Sequence, residues 1–149
     1  MRAYPKNQLI GSMIALLIGT SIYILFRSRR LVIFQWMHSL GIRDDFISDI
    51  RKPFENIFLE LPAWSIYSLP DGLWVFSFVS CALYIWQNSI TLKSGIWIFS
   101  IPSMAIFTEI GQYLTFIPGT YDSMDVIFYV IGTVVPFLLS KICISEKNK

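Results

Sequence analysis

The sequence predicts an all-α integral membrane protein: four transmembrane helices, with an amphipathic interfacial segment between the first and the second. Three observations predict it. Hydrophobic residues make up 54% of the 149 residues and charged residues only 15%, against roughly 25% charged in a typical soluble domain. Mean hydropathy is +0.57. The apolar residues also gather into four runs, at about 8–26, 70–88, 95–117 and 124–144, of the roughly 18 or more residues that a helix needs to cross a hydrocarbon layer. The length suggests one domain, residues 1–149.

The first run has no small-residue cleavage pattern and leads straight into Arg27, Arg29 and Arg30, so it reads as a retained helix rather than a secretory signal. Gly11, Ala15 and Gly19 recur every fourth residue, a small-residue stripe suited to close helix packing. Residues 27–69 mix apolar and charged side chains, and no window among them is apolar enough to span. Amphipathic pieces in the membrane interface fit this pattern, with Trp36 and Trp64 as anchors. His38, the single histidine, reads as a surface or interfacial residue rather than a ligand.

The second run opens with "SLPDGLW", where Ser68 and Asp71 have capping-box spacing. The third carries Glu109 inside an apolar stretch, about seven residues from its end and roughly 10 Å into the apolar layer. Burying a charged carboxylate there costs about 2.5–3.5 kcal/mol, and no cap explains it. Gln112 follows at i+3, with Thr108 and Thr115 bordering the same face. Pro118-Gly119 marks a tight connection, which makes the third and fourth helices antiparallel neighbours. "DSMD" then opens the fourth run, with Asp122 at the N-cap and Asp125 at the third helical position. Asp125, Tyr129, Gly132 and Pro136 continue one face.

Alternating direction brings Asp71, Glu109, Gln112, Asp122 and Asp125, from three helices, to one membrane side. Trp74, Thr108 and Tyr129 are candidate lining residues. Capping accounts for single aspartates but not for Glu109, nor for the convergence. Without a local base, such a cluster must take up protons, borrow a cation, or pair with basic residues from elsewhere. Arg43, Arg51 and Lys52 of the long segment are candidates to fold over it, and a divalent cation with oxygen ligands is another answer.

The spacing Glu109-x-x-Gln112, the Pro118-Gly119 turn, Asp125 and Gly132 resembles the VanZ-like family of small bacterial membrane proteins, and "LPDGLW" at 69–74 resembles that family's earlier Pro/Asp motif. The resemblance covers the last three runs. It departs from the family where Gly72 and Val75 replace a Lys and a His, where Gly119 and Thr120 stand in a turn that usually carries Arg, and where Tyr129 replaces an Asn. The resemblance implies the cell (inner) membrane and an association with glycopeptide-antibiotic resistance.

Several classes fall away. The basic residues form no stripe, so no nucleic-acid footprint exists. Cys81 and Cys143 lack metal-type spacing and read as small apolar residues. No second copy of the polar motif forms an inverted-repeat transport site. The leading expectation is a site that binds a lipid headgroup, a lipid-linked envelope precursor or an amphiphilic drug. The alternatives are an intramembrane enzyme on a lipid-linked substrate, with Glu109 and Asp125 as acid and base, and a structural or assembly subunit; an oligomer is compatible with each. The spread of Lys and Arg near helix ends favours both termini in the cytoplasm.

Overall fold

The computed structural model describes residues 6–140 and 143–144. Four longer helices correspond to the four apolar runs: α1 (Lys6–Phe26), α6 (Leu69–Ile85), α7 (Leu92–Tyr113) and α8 (Ser123–Leu139). The long segment is cut into α2 (Val32–Ser39), α3 (Asp44–Arg51), a 3₁₀ turn at Lys52–Phe54, α4 (Glu55–Glu60) and α5 (Ala63–Tyr67). Two two-residue strands, β1 (Ser89–Ile90) and β2 (Cys143–Ile144), pair in parallel. The other described residues form helices and their connections.

α1 and α7 are each long and apolar enough to cross a membrane, and only 17% and 22% of their apolar windows are buried within the chain. A soluble core helix would be mostly covered. α6 and α8 have 17 residues each, about 25 Å at 1.5 Å per residue.

The helices end earlier than the apolar runs do, for a definite reason. At the end of α7, Phe116 N–H donates to Gly111 O (2.8 Å) and Thr115 N–H to Gln112 O (3.0 Å). This is a Schellman cap with Thr115, at φ 61°, in the left-handed position usually held by glycine. α6 ends the same way, with Asn88 N–H on Leu83 O (2.8 Å), Gln87 N–H on Tyr84 O (3.0 Å) and Gln87 at φ 56°. Thus the third helix stops at 113 and not 117, and the second at 85 and not 88. α7 starts at 92 rather than 95 because Thr91 and Ser94 form a reciprocal capping box. α8 stops at Leu139, and Cys143–Ile144 of the expected fourth run are paired as β2; residues 141–142 lie outside the described residues. A left-handed β-branched residue costs about 1–2 kcal/mol. Thr115→Gly is therefore expected to stabilise the chain by about 1 kcal/mol in thermal unfolding, and a loss of stability would refute the strained cap.

α6 is the hub, packed along α1 and along α8, while α7 touches α6 and α8 less extensively. Its buried Val75, Val79, Ala82 and Leu83 meet Ile98 of α7 in the core. On α1 the packing stripe is Ser12, Ala15 and Gly19, all buried. Ser12 Oγ donates to Ser77 O (2.8 Å), and a Cβ on Gly19 would lie 3.0 Å from the Trp74 indole. Gly11, expected in this stripe, has no neighbour within 4 Å. α6 and α8 meet backbone to backbone, where a Cβ on Gly132 would fall onto Gly72 O. At the opposite end from the acids, Gln8 Nε2 donates to Ser140 Oγ (2.9 Å) and clasps α1 to the end of α8.

Of the 27–69 segment, α5 packs against α1, α6 and α8, and α3 packs against α1. α5 almost continues into α6, because Ser68 keeps helical dihedrals; Pro70, lacking an N–H, marks the seam. The capping box expected at Ser68 and Asp71 does not form. Ser68 makes no side-chain cap bond, and its Oγ is buried without a partner. Of the two expected anchors, Trp36 is exposed, and Trp64 stacks on Phe128 of α8 (5.6 Å).

Candidate functional site

Asp71 sits in the first turn of α6, and Asp125 at the third position of α8. Glu109 lies near the end of α7, 4% exposed. The three carboxylates act electrostatically on one another, and Tyr129, one turn beyond Asp125, lies in the field of all three. Three helices therefore bring these residues to one place, and the antiparallel order of α6, α7 and α8 is what does it.

The local bonding divides the acids by role. Glu109 Oε2 accepts the backbone N–H of Asp122 (3.2 Å), so it ties α7 to the start of α8. Asp122 is exposed and spends its carboxylate on Met124 N–H (2.8 Å), an N-cap worth about 1 kcal/mol. Asp125 differs: its Oδ1 is buried and has no hydrogen-bond partner. Leaving a buried acceptor unpaired costs about 1–3 kcal/mol, of which the N-terminal position in α8 offsets about 0.3–1 kcal/mol.

The opposite charge comes from Arg27, which acts on both Asp71 and Tyr129. Its guanidinium lies over the rings of Tyr23 (5.3 Å) and Tyr67 (5.0 Å), a cation–π seat, and its Nε is buried without a hydrogen-bond partner. The residues expected to cover the site are occupied elsewhere. Arg43 pairs with Asp45 (3.1 Å) and Lys52 with Asp49 (2.8 Å), both pairs exposed. Arg51 donates to Ile24 O and to Arg27 O, closing the C-terminal end of α1. Arg27 was findable from topology: it is the first base after the first apolar run, at the end where the acids gather.

Three candidates stand apart from the cluster. Thr108 is exposed and donates to Met104 O in its own helix (2.8 Å). Trp74 faces α1, with Nε1 donating to Thr20 Oγ1 (3.3 Å) and its ring against Tyr23 (5.1 Å). Gln112 packs under the 118–119 turn, where a Cβ on Gly119 would lie 2.7 Å from its amide. That crowding, with φ 146°, is why glycine occupies the turn.

Among the described residues no group of three His, Cys, Asp or Glu side chains could hold a metal ion. No family model matches the chain, and neither does any curated protein or solved structure.

Proposed function

We propose that the chain is a four-span membrane protein of VanZ-like type that holds the polar group of an amphiphile at one membrane face. The amphiphile is a lipid headgroup, a lipid-linked envelope precursor or an amphiphilic drug. The bare apolar flanks of α1 and α7 support the membrane part, with α6 and α8 as two shorter spans and both termini in the cytoplasm. Asp71, Asp125 and Glu109 would accept from the ligand's ammonium or hydroxyl groups, and Arg27 would face its anionic part. Tyr129 would add a hydroxyl between them. A resistance role follows from sequestering or shielding such a ligand in the cell membrane.

The single observation that carries this reading is the buried, unpartnered Asp125 oxygen within a three-helix carboxylate cluster. Stability alone would not retain it. The Glu109–Asp122 bond favours the structural alternative for Glu109 specifically. Carbodiimide labelling of Glu109 and Asp125 in detergent-purified protein tests the proposal. Adding a polar lipid extract, or teicoplanin, should slow labelling in the native chain and have no effect in Arg27→Gln. Labelling that neither addition alters would sink the binding role.

A further inference from the structure

The C-terminal end of α1 leaves backbone carbonyls that need donors, and Arg51 supplies them by reaching from α3 to Ile24 O and Arg27 O. Arg51 also lines a cleft of about 550 Å³ between α1 and the α3–α4 limb, within the roughly 300–1,000 Å³ of small-molecule sites. Arg27, Arg29, Arg51 and Asn56 line its polar side, and Phe26 and Phe58 its apolar side. Glu55 is the single carboxylate in that lining, so the wall is net basic.

Arg29 and Arg51 are gathered without a matching anion, while Arg27 also acts on Asp71. Among the described residues Arg27 and Arg29 form no ion pair with a carboxylate. Burial pulls the Arg51 guanidinium below its ordinary value, and the charge of Arg29 lowers it further. Like charges held this close lack a neutralising group. Arg51 is fixed by its two carbonyls and by Phe34, whose ring lies 5.0 Å away. Phe26 stacks on Phe58 (6.2 Å, 19°) and meets Phe54 edge-on (6.4 Å), so the apolar wall is also built.

We propose that this cleft binds the phosphate of an anionic glycerophospholipid, with the Arg29 guanidinium on the phosphate, Arg27 and Arg51 adding positive field beside it, and the Phe26–Phe58 wall against the first carbons of the acyl chains. Guanidinium forks match phosphate oxygens in pairs. The lipid part rests on the membrane-spanning reading of α1, whereas the anion part does not. The cleft is separate from the carboxylate cluster, and Arg27 is common to both.

The test uses the full chain in a neutral detergent, titrated with short-chain phosphatidylglycerol, with phosphatidylcholine of the same chain length, and with inorganic phosphate. Phosphatidylglycerol should bind most tightly. Arg29→Gln, at an exposed position, should weaken it about tenfold, the loss of one charge-assisted contact, with the circular dichroism unchanged. Equal binding of the two lipids, or an unchanged affinity in Arg29→Gln, overturns the proposal. Inorganic phosphate binding as tightly as the lipid overturns the lipid part and assigns the cleft to free phosphate. A chain that stays soluble and dispersed without detergent would overturn the four-span reading, and the phosphate titration would still decide the cleft.

Discussion

Gly132→Leu is expected to prevent recovery of a folded, monodisperse protein. A Cβ at this position lands on Gly72 O and lies 3.1 Å from Phe76 N. These are backbone atoms, which cannot rotate aside. Because α6 is the hub, separating it from α8 opens the core around Val75, Val79 and Leu83. Even Gly132→Ala should cost about 3 kcal/mol, at the upper end of ordinary overpacking. Gly72→Ala should be milder in the same direction, since its nearest neighbours are Phe128 Cβ and O at 2.9 Å. Gly11→Ala is the internal control. With nothing within 4 Å, it removes only a helix-interior glycine and should gain about 0.5–1 kcal/mol. Size-exclusion chromatography checks Gly132→Leu, and thermal unfolding in detergent ranks the three alanine variants. Equal effects of Gly132→Ala and Gly11→Ala would mean that α6 and α8 do not meet at these glycines.

Glu109 should separate structure from function when two variants are compared. Glu109→Gln keeps an oxygen that can accept from Asp122 N–H and removes the charge. Glu109→Ala removes both. Stability should therefore fall by about 1 kcal/mol in the alanine variant and hardly at all in the glutamine variant. Lipid protection of Asp125 against carbodiimide, and any protective phenotype in cells at equal expression, should be lost in both. If Glu109→Gln keeps full protection, the carboxylate is a clamp between α7 and the start of α8, and the ligand is held by Asp71 and Asp125.

The apolar runs made the four longer helices legible, because a long stretch without charge leaves few other structures. Their ends were less legible. Gln87 and Thr115 take the left-handed position that glycine usually marks, and a Thr-Ser capping box carries no acidic signature. The convergence of Asp71, Glu109 and Asp125 followed from alternating direction alone. Their division of labour did not, since it depends on which backbone N–H each oxygen meets. Arg27 was masked by its neighbours Arg29 and Arg30 in a basic cluster that reads as a membrane-side signal. Thr108 was misplaced because a hydroxyl on a helix can satisfy itself on its own preceding turn.

The contacts of α1 also fix an order of events during synthesis. Ser12 waits for Ser77, 65 residues further along, and Gln8 waits for Ser140, 132 residues further along. α1, made before the other described helices, is thus among the last of them to be completed. Until α6 emerges, its Ser12, Ala15 and Gly19 stripe has no neighbour from this chain, and its final clasp closes only once α8 has been made. A polypeptide interrupted just before α6 would hold an apolar helix whose C-terminal end Arg51 can already close, but whose Ser12, Ala15 and Gly19 stripe is still bare.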